Sequence, residues 1–180
     1  MTPFLQFKTG CFGDDQRTLD RLQVICGRLF LFAEPNLHRQ IVLHHGTGHG
    51  KSMLLAALGK IFPAIPVNGS APKIKWEALE HRERAARLAV WDGAAEHMLA
   101  TPWLKDMASN SAMQTHVICS EPYSEPVGGG WSRRLCQIHW QRRIPTEDQN
   151  GVLAHELPQD PDFLAWLVEG TRRAIAADPA

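Results

Sequence analysis

The sequence predicts an α/β fold: a parallel sheet with flanking helices, led by a short N-terminal helical segment and closed by a C-terminal helix. Three observations predict it. A short apolar run, Ile41, Val42 and Leu43, leads through Gly46, Gly48 and Gly50 into a helix-forming stretch from Lys51 to Leu58. A second apolar run, Leu88 to Trp91, ends in the acid Asp92, and a third, Thr115 to Cys119, ends at Ser120. Short apolar runs that alternate with longer helical patterns are the mark of strands joined by crossover helices.

At 180 residues, 44% of them hydrophobic, the chain is long enough to bury a substantial core as one globular domain. The formal net charge is zero, so no global basic field advertises a nucleic-acid partner, and any DNA contact must come from a local patch or the channel of an oligomer. The four cysteines, Cys11, Cys26, Cys119 and Cys136, are scattered, and there is no signal-peptide pattern and no long apolar span. These features predict a reduced, cytoplasmic setting without a membrane.

Taken in order, residues 1–35 form the expected helical lead, 36–145 the core, and 146–180 a loop and closing helix. Phe4, Phe7 and Phe12 lie in a lead that is irregular or briefly helical. Asp14 or Asp15 caps the next helix, whose Leu19, Leu22, Cys26 and Leu29 share one face at three- and four-residue spacing. Glu34–Pro35–Asn36 ends it. Ala64 to Val67 reads as a short strand between prolines, and Trp76 to Ala86 as a charged helix with a solvated face. Residues 94–107 read as a helix that Pro102 interrupts. A strand-like run follows Gly128, Gly129 and Gly130, residues 146–161 are polar and loop-rich, and from Asp162 a helix carries Phe163, Trp166 and Leu167 on one face.

The candidate chemistry is concentrated at the glycine loop. Glycines free the backbone N–H groups to turn inward around an anion, and the helix that starts near Lys51 points its positive end at the same spot. Gly46, Thr47, Gly48, His49, Gly50, Lys51 and Ser52 are therefore the expected cradle for a nucleotide's phosphates. Lys51 would reach the outer phosphates, and the Ser52 hydroxyl would hold Mg²⁺, which is the chemistry of a phosphate-binding P-loop. The full pattern has a glycine where His45 stands. Asp92 is the candidate for the opposite side of the Mg²⁺ shell. Gly93 occupies the place of a water-polarising glutamate, with Glu96 as a substitute, and Ser120 is the candidate sensor of the γ-phosphate. Arg133 and Arg134, beside the triple glycine, are placed to enter a neighbouring subunit's site. The bland alternatives are an ordinary turn residue at Ser120 and a surface basic pair at the arginines. His44, His45 and His49 have no metal-ligand spacing and are expected as polar decoration of the phosphate site.

The P-loop, Asp92 and the double arginine, in this order, resemble the superfamily III helicases of the AAA+ class, above all the helicase part of phage and plasmid primase-helicases and their poxvirus relatives. Leu22 to Gly27 resembles the helical segment those proteins carry before the P-loop, Gly130 to Ile138 their arginine-finger stretch, and Leu157 to Arg173 their closing helix. The resemblance implies a P-loop NTPase fold, ATP and Mg²⁺ as ligands, and Arg133 or Arg134 acting in trans. It further implies a homo-oligomeric ring, usually a hexamer, that moves single-stranded DNA in mobile-element replication. Three departures bear on activity: Ser120 replaces an asparagine, no glutamate follows Asp92, and only Ala108 to Gln114 stand where relatives carry a longer DNA-gripping hairpin. They keep two alternatives open, a degenerate nucleotide-binding oligomerisation module without unwinding activity and a P-loop small-molecule kinase with Arg133 and Arg134 as a lid.

Overall fold

The computed structural model describes residues 1–31, 41–46, 48–67, 86–92, 104, 114–119 and 135–177. Its frame is a five-stranded sheet: β1 (Ile41–His45), β2 (Ala64–Val67), β3 (Leu88–Asp92), β4 (Gln114–Cys119) and β5 (Leu135–His139). The order across the sheet is β2-β3-β4-β1-β5, and every pairing is parallel. Parallel strands are covered on both faces, which is why β1 is buried at all five positions rather than alternating. The register sets Val42 against His116 and Cys136, and His44 against Ile118 and Ile138, so these residues share one face. Leu43, Trp91 and Val117 lie buried on the other.

The helices follow from apolar spacing. α1 (Pro3–Cys11) starts at Thr2, whose hydroxyl accepts from the Leu5 N–H, and buries Phe4, Phe7 and Cys11. The lead is thus a regular helix of two and a half turns. Asp15, rather than Asp14, caps α2 (Gln16–Gly27) by accepting from the Thr18 N–H. α3 (Lys51–Ile61) buries Leu54, Leu55 and Leu58. The segment expected as loop-rich contains a 3-10 turn at Thr146–Asp148, a one-turn helix α4 (Leu153–Glu156) and a 3-10 turn at Leu157–Gln159, because Leu153 and Leu157 both reach the core. The closing helix α5 (Pro161–Ala177) begins after Asp160, whose carboxylate accepts from the N–H groups of Asp162 and Phe4 and so joins the two ends of the fold. The helices expected at 76–86 and 94–107 lie outside the described residues apart from Ala86 and Leu104, both buried.

α2 and α5 meet backbone to backbone. A Cβ on Gly27 would stand 2.2 Å from Gly170 C, and one on Gly170 would stand 2.1 Å from the Gln23 carbonyl oxygen. The contact is fastened by Gln23 Nε2 donating to Trp166 O at 2.8 Å and Thr171 Oγ1 donating to Gly27 O at 2.8 Å. These are the two stretches, before the glycine loop and at the closing helix, that carry the outer parts of the sequence resemblance.

A polar chain runs through the core. Trp140 Nε1 donates to His44 Nδ1 (3.1 Å), His44 Nε2 meets His116 Nδ1 (2.8 Å), His116 Nε2 meets Gln114 Oε1 (2.8 Å), and Gln114 Nε2 donates to Ile25 O (3.0 Å). An indole N–H only donates, which fixes every tautomer downstream: both imidazoles are neutral and each carries its proton on Nε2. Burial holds His116 down at about 3, and holds His44 well below its ordinary value, helped by His116, Lys51 and His45. His44 and His45 are therefore buried strand residues, not decoration of the loop; only His49 stands in it.

A base with a depressed folded-state pKa contributes its full stability above the unfolded value and loses it as pH falls toward the folded one. Unfolding free energies from urea titrations are expected to be level above about pH 7 and to fall below about 6.5, by up to about 1.4 kcal/mol per pH unit for each buried imidazole. His116→Asn should be less stable at pH 7.5 and show a shallower fall between pH 6.5 and 5. An equal slope in parent and variant would rule out His116 as a source of the acid sensitivity.

Candidate functional site

In a parallel sheet the C-terminal strand ends share one edge, and the turns that leave them shape a crevice there. Here that edge carries His45, Asp92, Cys119 and His139. β1 passes directly into the glycine loop, where Gly46, Gly48 and Gly50 have φ of +103°, +73° and +84°. Gly50 is required twice over: its φ suits only glycine, and a Cβ there would stand 2.6 Å from Cys11 Sγ. Gly50 also caps α3 without any side-chain hydrogen bond, so no side chain of the cap claims the first N–H groups of that helix.

Lys51 is buried at the first position of α3, and its Nζ donates to the Gly46 carbonyl, folding the ammonium back across the loop. Burial lowers its pKa, while Asp92 and Cys119 act in the opposite direction. One residue on, Ser52 Oγ donates to Asp92 Oδ2 at 3.4 Å. Asp92 reaches this position from the tip of β3, with β4 intervening between β3 and β1. The two exposed oxygen groups stand at the mouth of a cleft of about 210 Å³ whose walls include Leu55, Ile65, Val90 and Ile118. A hydroxyl and a carboxylate at this separation suit a hard cation that keeps part of its water shell. Among the described residues no three His, Cys, Asp or Glu side chains form a self-sufficient metal cage.

A strap leaves β5 and runs along the loop. The Trp140 N–H donates to His45 O (3.4 Å) and the Ile144 N–H to Gly48 O (2.9 Å). Behind it opens a cavity of about 560 Å³, walled by Phe7, Cys11, Met53, Ile144 and Pro145 and edged by the amides of Gln6, Gln149 and Asn150. Cys11, Met53 and Ile144 are also the side chains closest to Gly50, so the cavity adjoins the start of α3. Burial pushes the Cys11 thiol up to about 12 despite the opposing Arg142 charge, which makes it a packing group rather than a nucleophile.

Of the residues expected at the site, Gly46, Gly48, His49, Gly50, Lys51, Ser52 and Asp92 come together at this edge. Thr47, Ser120, Arg133 and Arg134 lie outside the described residues, as do Gly93, Glu96 and most of the short pre-sensor stretch. The strap and the cavity are not evident from the sequence. Its available signal was a second basic pair, Arg142–Arg143, directly after an apolar strand and before Pro145.

No family model matches the chain, and no curated protein matches it. Among solved structures it is similar to the apo structure of the NrS-1 C-terminal region (305–718), with a TM-score of 0.62 and 12% identity over 97% of this chain and 50% of that one. An A-form apo structure of the same NrS-1 region gives a TM-score of 0.57 and 13% identity over 90% of this chain and 44% of that one. At these identities the likeness is one of fold, and the chain spans about half the length of the structures it matches. No helix among the described residues is long and apolar enough to cross a membrane.

Proposed function

We propose that this chain is the ATPase core of an oligomeric DNA motor of the superfamily III type. The observation that carries the reading is the meeting of Lys51, Ser52 and Asp92 at one end of a parallel sheet, beside a loop whose three positive-φ glycines leave the start of α3 open to an anion. The residues present suit a nucleotide's phosphates and a divalent cation. Lys51 exchanges the Gly46 carbonyl for phosphate oxygens, and Ser52 with Asp92 orients the cation's ligand shell. The cavity behind the strap, lined by Met53, Ile144 and the amides of Gln6, Gln149 and Asn150, would take the nucleoside. Mg²⁺, held by Ser52 and Asp92, would supply positive charge to the phosphate oxygens; hydrolysis transfers the γ-phosphoryl group from the β–γ bridging oxygen to water, giving ADP and phosphate. Arg133 or Arg134 acts on the site of the adjacent subunit in a ring, hexameric by resemblance, and single-stranded DNA is the cargo.

A second reading is a nucleotide-binding assembly module with little turnover. It is favoured by Gly93 in place of a glutamate and by the few residues between Met107 and Thr115. ATP turnover measured over a wide range of protein concentrations, with and without single-stranded DNA, separates the readings. The motor reading expects turnover per subunit to rise with concentration and with DNA, and Arg134→Ala to be rescued in part by mixing with parent protein. Assembly with nucleotide but no turnover leaves the module, and turnover by a monomer indifferent to DNA points instead to a small-molecule kinase.

A further inference from the structure

Arg143 lies beside the glycine loop, without an ion-pair or hydrogen-bond partner among the described residues. Its Nε and Cγ would stand 3.5 and 3.6 Å from a Cβ on Gly48, a van der Waals approach to the loop backbone. The next residue pins it there, because the Ile144 N–H donates to the Gly48 carbonyl at 2.9 Å. Its neighbour Arg142 is turned away: its guanidinium packs over Gly13 and acts on Cys11. Among the described residues Arg143 forms no ion pair and no side-chain hydrogen bond, although Glu147 and Asp148 follow close behind in sequence. An exposed guanidinium held at its backbone end, free at its tip and set against a loop that presents backbone N–H groups is suited to fork onto an anion that those groups hold.

We infer that Arg143 is a phosphate-binding residue supplied in cis, which closes over the phosphate chain from the strap while Lys51 holds it from below. The inference rests on the nucleotide reading above and adds to it a cation from the same subunit, distinct in origin from Arg133 and Arg134. The Ile144–Gly48 hydrogen bond makes the approach selective, since it fixes the distance from which the side chain must reach.

Equilibrium binding of ATP, ADP and adenosine by calorimetry tests it, using the full chain with Arg143→Ala, Arg143→Lys and, as a charge control, the exposed Arg17→Ala. Arg143→Ala is expected to weaken ATP and ADP by about 10- to 100-fold while leaving adenosine within about twofold. Arg143→Lys should recover only part of that loss, because an ammonium restores the charge but not the two-pronged contact, and Arg17→Ala should bind like the parent. Unchanged ATP affinity in Arg143→Ala overturns the assignment, while ATP binding by the parent keeps the nucleotide reading. Equal weakening of adenosine also overturns it, since the residue would then only brace the strap. Recovery of tight binding on mixing Arg143→Ala with Lys51→Ala subunits would place the arginine in trans and overturn the cis claim. Failure of the parent to bind ATP overturns both readings.

Discussion

Gly170→Ala is expected to lower the melting temperature by about 6 to 12 °C, corresponding to about 3 kcal/mol in a chain of this size. The added methyl group has nowhere to go, because it meets the Gln23 carbonyl oxygen at 2.1 Å, and a backbone atom cannot rotate aside. Relief requires α2 and α5 to part. That loosens Leu22, Cys26, Phe163 and Leu167, all fully buried, and stretches the Gln23–Trp166 and Thr171–Gly27 hydrogen bonds. Gly10→Ala is the matched control. It sits inside α1 with no atom within 4 Å of the new methyl, so it should stabilise by about 0.5 to 1 kcal/mol through backbone entropy. Scanning calorimetry of both variants decides the point, and a Gly170→Ala transition within a degree or two of the parent would contradict the close helix contact.

Lys51→Met carries the largest expected effect on activity. Methionine keeps the apolar stem and fills the buried site but removes the charge and all three donors. On the proposed nucleotide reading, ATP affinity should fall by about 10- to 100-fold, and turnover by a further ~10²- to 10³-fold, since the ammonium would then meet charge that develops in the transition state. Because Nζ already donates to Gly46 O, the lysine is preplaced at the loop and need only change acceptor. Calorimetric titration combined with single-turnover measurement reads the two losses separately. Affinity and turnover within twofold of the parent would remove Lys51 from the phosphate site.

Much of this arrangement was legible in the chain. Each strand reads as a short apolar run with a turn signal, and the loop with Asp92 reads as a site because two separate patterns, a glycine loop before a helix and an apolar run ending in an acid, require the same cation between them. The structure places Ser52 Oγ 3.4 Å from Asp92 Oδ2. What escaped depends on register or on close approach. Nothing local in Val42–Leu43–His44 says that His44 faces His116, because that follows from a parallel alignment of β1 with β4 across more than seventy residues. Gly27 and Gly170 read only as weak points in helices until the two are seen to touch. α4 is not legible because a single turn with one leucine, Leu153, carries no measurable periodicity. Arg143 is not singled out by the sequence, because its position depends on the direction of the strap, which the Ile144–Gly48 hydrogen bond fixes.

The Gly27–Gly170 crossing also bears on the order in which the molecule assembles. Thr171 and Gly27 are joined across 144 residues, and closing a loop of that length costs about 4 kcal/mol in chain entropy beyond a constant term. During synthesis, α1 and α2 emerge before α5 and present Phe4 and Leu22 before it can cover them. The long closure predicts that the α2–α5 contact forms after α5 is made, and that Phe4 stays uncovered until that helix docks.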